Sequence, residues 1–458
     1  MTLTPPGPVA VTPPPGGRGV SPRQWRREPP RTEGLDWACG LLFGSDGRVA
    51  ARRRSAGARN QSAPAGFGRA ESYLALPRAA NPRLLVPLGS PRAAAAALAR
   101  NHDATSLKAR LGRAALGAGL RVGVTQRIAD RVDVFADPAL TAEERPRVLL
   151  TEHLRAIFGR SDLEMAVILG VPRLNRKPVL QVLAPDGTVV GYVKAAWNDL
   201  TVKLVRNEAR VLADLAVAGP RGTGPVTFTP PAFVAAGPWG SGDSPASPAA
   251  ARLELIAASA LPNTARPDSA HVFEPPMAVI AEIAGLWGRT TARLAESPYW
   301  AGVRERVGAN RDSGSEILHR AVDWIERRFG AVEIAFGAWH GDFTPWNMAR
   351  TDDATYVWDW ERAAPAPAGL DLLHFLFQTV CRFHGKTPQE SVAACSGRTP
   401  GLLPLLDVPL GSEPALWALY RLELLFRYDE AREAGVLARQ SKIHAGVLEM
   451  FIRDLEAV

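Results

Sequence analysis

The stretch PVLQVLAPDGTVVGYVKAAW, residues 178–197, runs directly into NDLTVKLVRNEARVLADLA and constrains the fold more than any other part of the chain. Two apolar runs rich in Val flank an Asp-Gly step, which predicts an antiparallel hairpin because Asp-Gly suits the turns that match strand twist. The segment after it has helical spacing, with Asn198 or Asp199 as the N-cap. Its inward stripe reads Leu204, Glu208, Val211, Leu212 and Leu215, which places a carboxylate on an apolar face. A buried carboxylate is costly unless paired. Lys194 ends the second strand, on the same face as Tyr192 and Ala196, and is the partner within reach. The alternative on spacing alone is a solvated Lys194 and a boundary Glu208. Lysine is scarce in this chain: Lys108, Lys177, Lys194, Lys203, Lys386 and Lys442 are the only lysines among 54 basic residues. A lysine where arginine is the default therefore carries information.

Four segments are expected. Residues 1–36 hold Pro-Pro and Pro-Gly clusters without periodicity and read as a disordered, Arg-containing tail. Residues 37–160 contain short apolar runs and the alanine-rich PRAAAAALARNH, and read as a small α/β unit of unknown role. Residues 161–262 read as a sheet lobe: strands, one helix, then the strands VTFTPPAFVAAGPW and ARLELIAASAL. Residues 263–458 read as a helical lobe, in which Ser313 and Glu316 form a capping box ahead of EILHRAVDWIERRFG. The fold class is α+β, with a cleft between a small antiparallel sheet lobe and a helical lobe.

The stretch AWHGDFTPWNMARTDDATYVWDWE, residues 338–361, gathers Asp342, Asn347 and Asp359 close to His340. NMAR and TYVWDWE flank the turn-rich TDDA and predict a second hairpin. The midpoint between Asn347 and Asp359 falls inside that turn, so the two face each other across the hairpin's open end. An amide oxygen beside a carboxylate forms a hard-oxygen site suited to Mg²⁺. Asp342 is then free to orient an incoming hydroxyl and take its proton. The bland alternative is a loop braced by hydrogen bonds.

HGDFTPWN followed by WDWE, with Lys194 and Glu208 upstream, resembles the aminoglycoside phosphotransferase and choline kinase family, which has a protein-kinase-like fold. The similarity spans roughly residues 160–455. It implies ATP and Mg²⁺ as cofactors, with Asp342 as the catalytic aspartate and Asn347 and Asp359 as metal ligands. Lys194 would grip the α/β-phosphates and Glu208 would be its helix partner. His340 and Asp371 would brace the catalytic loop, and adenine would meet the backbone of Ala257, Ala258, Ser259 and Ala260. The substrate implied is a small-molecule hydroxyl acceptor: an amino sugar, a sugar or an amino alcohol. Three departures stand out. LGVPRLNRK, with Gly170 alone, replaces the glycine-rich loop, leaving Arg173, Arg176 or Lys177 to cover the phosphates. Thr344 and Trp346 replace the family's usual histidine and small residue, so Trp346 either walls the acceptor site or is core. Glu423, Asp429 and Glu430 either receive a cationic substrate or form a solvated helix face.

Composition limits the rivals. No run of about 18 apolar residues exists, so no membrane span is expected. Cys39, Cys381 and Cys395 are odd in number and scattered, which fits a reducing cytoplasm. The net charge of +8 gathers only near the N-terminus and comes without a nucleic-acid motif, so nucleic acid is not the expected partner. Polyanion binding through that arginine-rich stretch stays open. So does a nucleotide-binding pseudokinase that meets a protein partner through its N-terminal unit.

Overall fold

The computed structural model describes residues 34–44, 47–54, 63–99, 117, 119, 130–170, 176–218, 228–240, 253–262, 266–267, 274–309, 316–351, 354–433 and 442–456. The expected tail, His102, Arg173, Ser313 and the Asp352–Asp353 turn lie outside these residues, apart from the last residues of the tail segment.

A nine-stranded sheet forms the first half of the molecule. Its strands are β1 (Val49–Arg54), β2 (Gly68–Leu76), β3 (Leu84–Pro87), β4 (Arg131–Ala136), β5 (Glu164–Ile168), β6 (Val179–Leu183), β7 (Val189–Ala196), β9 (Phe233–Trp239) and β10 (Leu253–Ser259). Between β7 and β9 comes the two-residue β8 (Phe228–Thr229), which belongs to another sheet. The spatial order is β1-β4-β2-β3-β5-β6-β7-β10-β9, and each neighbouring pair is antiparallel. The division expected at residue 160 separates strands in sequence but not in space. Leu84 and Leu85 of β3 pair with Ile168 and Val167 of β5, which makes the four earlier strands an extension of the later lobe's edge.

Alternation along these strands explains how both faces are covered. Tyr73 and Ala75 of β2 join the core made with helices α1 (Leu35–Leu42) and α3 (Leu150–Phe158). Leu74 and Leu76 point the other way, against Ala94 and Leu98 of helix α2 (Pro91–Ala99). α2 also lays Ala93 and Ala97 on Ala166, Leu183 and Val189. The small alanine side chains let that helix approach the sheet closely.

Helix α4 (Asp199–Ala218) follows β7, and Asn198 is its cap: the Asn198 Oδ1 accepts from the Thr201 N–H at 2.8 Å. The second half is mostly helical, with α5 (Met277–Gly285), α6 (Pro298–Ala309), α7 (Glu316–Phe329), α8 (Leu370–Phe383), α9 (Pro388–Ser396), α10 (Glu413–Glu433) and α11 (Lys442–Glu456). Two small sheets are set among these helices. One joins β11 (Arg266–Pro267), β14 (Met348–Arg350), β15 (Thr355–Val357) and β8; the other joins β12 (Thr290–Arg293), β13 (Glu333–Trp339) and β16 (Ala364–Pro367). One core runs from Val205, Val211 and Leu212 of α4 through the helical half to Phe451.

Leu85 is fully buried in the same core as Val193 and Ala195, the neighbours of Lys194. Leu85→Ala is expected to cost about 2–5 kcal/mol through the cavity it leaves. In urea, circular dichroism and tryptophan fluorescence should report one shared, shifted transition. A separate early transition would mean that the strands before residue 160 fold as an independent unit.

Candidate active site

The site begins with the Lys194 ammonium, which reaches three elements at once. Its Nζ lies 2.7 and 2.6 Å from the two carboxylate oxygens of Glu208 on α4, and 2.5 Å from Asp359 Oδ1 beyond β15. Glu361 Oε2 is 3.9 Å away. Burial alone would lower the Lys194 pKa, but the carboxylates of Asp359, Glu208 and Glu361 outweigh it and hold the ammonium above its ordinary value. Glu208 is pushed up by burial and by its two acidic neighbours, with Lys194 offsetting only part. α4 also grips the segment after Asp359: the Asn207 amide donates to the carbonyls of Glu361 and Ala363 at 3.0 and 2.9 Å. Asp359 itself has φ 73°, the left-handed region that side chains other than glycine rarely adopt.

The loop from His340 to Asn347 is held from below. Asp371, the second residue of α8, accepts the N–H groups of His340 and Gly341 at 2.6 and 3.1 Å. Burial pushes the Asp371 pKa up to about 7 against the pull of those two donors. The His340 Nδ1 accepts from the Asp342 N–H at 3.2 Å, so its Nε2–H donates to the Trp358 carbonyl at 3.0 Å. That ring links the loop to the hairpin end, and burial lowers its pKa to about 4. Gly341 has φ 85°, and a Cβ there would lie 2.5 Å from the Arg362 carbonyl oxygen. Glycine is therefore required on both counts.

Asp342 sits at the centre of this loop. Its Oδ2 accepts from the Asn347 amide at 2.9 Å, and its Oδ1 from His374 Nε2 at 2.9 Å. The other His374 nitrogen lies 3.1 Å from the Tyr420 hydroxyl. Burial lowers the His374 pKa, and a neutral ring facing a carboxylate carries its proton on Nε2. Nδ1 then accepts from Tyr420. Burial would raise the Asp342 pKa, but the His374 hydrogen bond and the Arg427 charge bring it below the ordinary carboxylate range. Arg427 also donates to the Gly341 carbonyl and lies over the Trp339 ring.

Several expectations are altered by the structure. Ala257, Ala258 and Ser259 lie inside β10, between β7 and β9. The Ser259 and Ala260 N–H groups donate to Ala232 and Val190 carbonyls, so those two donors are already committed within the sheet. Glu423 is not a solvated residue. It accepts from the Tyr299 hydroxyl at 2.9 Å and pairs with Arg306 at 3.2 Å. Glu430 is engaged by Lys203 and Arg362. Trp346 is half-buried rather than core, with the Arg382 guanidinium 4.5 Å over its ring. Of the residues expected to cover the phosphates, Arg176 is turned away: its Nε donates to the Leu169 carbonyl at 2.8 Å and its guanidinium lies 4.5 Å over Trp37.

The expected facing pair of Asn347 and Asp359 is offset by one residue. Met348 pairs with Val357, so Asn347 lies opposite Trp358, whose N–H donates to the Asn347 carbonyl, and Asp359 is the next residue along. The acidic cluster is wider than that pair. Glu208, Asp359 and Glu361 each offer a carboxylate oxygen, all within 4.8 Å of one another. Lys194 and Lys177 are the ammonium groups among these three carboxylates, which leaves negative charge in excess. Such a donor set fits a hard divalent cation. Glu361, His374 and Arg427 take part here although sequence spacing did not single them out, while Lys177 is one of the three residues expected to cover the phosphates. The final E of WDWE was the one visible trace of Glu361.

No family model matches the chain, and no curated protein matches it. Among solved structures it is similar to the amicoumacin kinase hAmiN in complex with AMP-PNP, Ca²⁺ and Ami, at 11% identity and a TM-score of 0.41, over 65% of this chain and 88% of that one. It is similar to choline kinase LicA from Streptococcus pneumoniae at 12% identity and a TM-score of 0.41, over 68% and 98%. For aminoglycoside phosphotransferase APH(4)-Ia the values are 14%, 0.40, 67% and 98%. A likeness of this size says what the chain is similar to; its chemistry is decided by its own side chains.

The His340 ring supplies a pH signature. Its folded pKa of about 4 lies below the ordinary 6.5, so the unfolded chain binds the extra proton between those values. Stability that is present above pH 6.5 is lost as pH falls toward 4. His340→Gln should lower the melting temperature at pH 7 and make its decline over this window shallower than in the wild type. Parallel declines would place the proton uptake elsewhere.

Proposed function

We propose that this chain is an ATP-dependent phosphotransferase that moves the γ-phosphate of the nucleotide to a hydroxyl of a small molecule. The observation that carries this reading is the convergence of Lys194, Glu208, Asp342, Asn347 and Asp359, drawn from a sheet, a helix and a loop–hairpin unit. Loop bracing alone does not call for an ammonium from a different lobe. A Mg²⁺ ion held by Asp359 and the Asn347 amide oxygen would neutralise phosphate charge when bound. Lys194 would hold the phosphates, with Glu208 fixing the ammonium's direction. Asp342, kept ionised by His374 and Arg427, would accept a hydrogen bond from the acceptor hydroxyl and receive its proton. Catalysis would then come mainly from positioning and charge neutralisation. The convergence also favours an enzyme over a pseudokinase, since the proton acceptor is built and oriented as well as the phosphate side.

Thermal melting with ATP, with and without Mg²⁺, tests the reading. Nucleotide at about 100 times its Kd stabilises by about 2.7 kcal/mol. A Mg²⁺-dependent rise that Asp359→Ala removes is expected, and no rise with any nucleotide would remove the proposal. Asp342→Asn should keep the rise and nearly abolish transfer in an acceptor screen.

His374 supplies a finer test, using the hydroxyl compound that the screen returns or water as a slow acceptor. A hydrogen bond to a charged group contributes about 1.5–3 kcal/mol. His374→Phe should therefore lower kcat about tenfold or more with little change in the KM for ATP, and His374→Gln, which keeps a donor, should recover part of it. Equal losses in both variants would reduce His374 to a packing role.

A further inference from the structure

The connection between β5 and β6 stands where a glycine-rich phosphate loop is absent, and its last residues carry a second lysine toward the site. Val179, the first residue of β6, pairs directly with Lys194 on β7. Lys177 lies two residues before Val179, and its side chain reaches the same acidic cluster. Its Nζ is 2.7 Å from Glu361 Oε2, the oxygen that lies 3.9 Å from Lys194 Nζ. Two ammonium groups thus converge on one carboxylate oxygen, and the Lys177 side chain is only 7% exposed. The contact is a close, buried ion pair. The neighbouring Arg176 is held on Trp37 and Leu169 instead.

Placing two ammonium groups this close carries a Coulomb cost, which shared carboxylates reduce. The arrangement suits a ligand with more negative charge than one lysine can balance, such as a di- or triphosphate. A lysine fits that role as a point charge that can swing on a flexible stem.

We propose that Lys177 is a second phosphate-binding cation, which leaves Glu361 when nucleotide binds and donates to a phosphate oxygen beside Lys194. It does from a side chain what backbone N–H groups do in a glycine-rich loop. The inference rests on the nucleotide-binding reading above.

Isothermal titration separates the two. The wild type, Lys177→Ala and Lys177→Met are titrated with Mg²⁺ and a non-hydrolysable ATP analogue, and separately with adenosine. Lys177→Met keeps the aliphatic stem and so the packing. Both variants should bind the analogue at least tenfold more weakly than wild type while binding adenosine equally well. Undiminished binding of the analogue by a folded variant overturns the role of Lys177. So does a parallel loss of analogue and adenosine, which would make Lys177 a strut of the site. Failure of the nucleotide reading itself shows earlier, as a wild type that does not bind the analogue.

Discussion

One ammonium group ties the molecule together at its working point. Lys194 belongs to an interior strand of the sheet, Glu208 to the helix laid against it, and Asp359 to the chain just beyond a hairpin of the helical half. Breaking a buried pair by removing one partner typically costs 3–5 kcal/mol, because the remaining charge is left without compensation. Here the loss would leave Glu208 and Asp359 without their ammonium partner, with Lys177 still beside Glu361. The constraint works on structure and function together. The same contact that joins the halves also fixes where a phosphate-binding charge stands relative to the Asp342 loop.

Around that contact the site is built in layers. Asn207 holds the carbonyls beyond Asp359, so α4 positions the hairpin end through its backbone as well as its charge. Asp371 holds the N–H groups of His340 and Gly341, and His340 returns a hydrogen bond to the carbonyl of Trp358. Backbone groups that would otherwise be buried without partners are thereby satisfied. Asp342 is the exception in kind. Its partners are side chains, His374, Asn347 and the nearby Arg427 charge, which tune its direction and its proton affinity.

Some of this was legible in the residues. The Asp-Gly hairpin, the Asn198 cap and the buried Glu208 follow from local rules of turn, cap and helical period, and each is where those rules place it. The β14–β15 hairpin is likewise local in existence, but its register is one residue off the expected one, with Met348 paired to Val357. What resisted reading was non-local. Nothing in the sequence spacing pairs Leu85 with Val167, because the two strands are separated by a long excursion of chain. His374 reads as one more residue of an apolar helix, and only the approach of α8 to the loop makes it a partner of Asp342. Glu423 and Glu430 looked like candidates for a substrate, and their partners Tyr299, Arg306, Lys203 and Arg362 come from distant helices and turns.

The sequence by itself determined which residues carry charge into apolar surroundings, and therefore which had to find partners. Glu208, and Lys194 as its partner, follow from that rule, since a buried charge is tolerated only when compensated. Asp342, Asn347 and Asp359 are legible only as polar oxygens gathered in one short stretch. Tertiary structure alone decided who the partners are. It set two lysines on one carboxylate oxygen, turned Arg176 away to an indole ring, and joined the first four strands to the edge of the later lobe. The physical reason is that burial and local period are properties of a segment. Compensation between charges depends on distances of a few ångströms, which exist only once separate segments have packed.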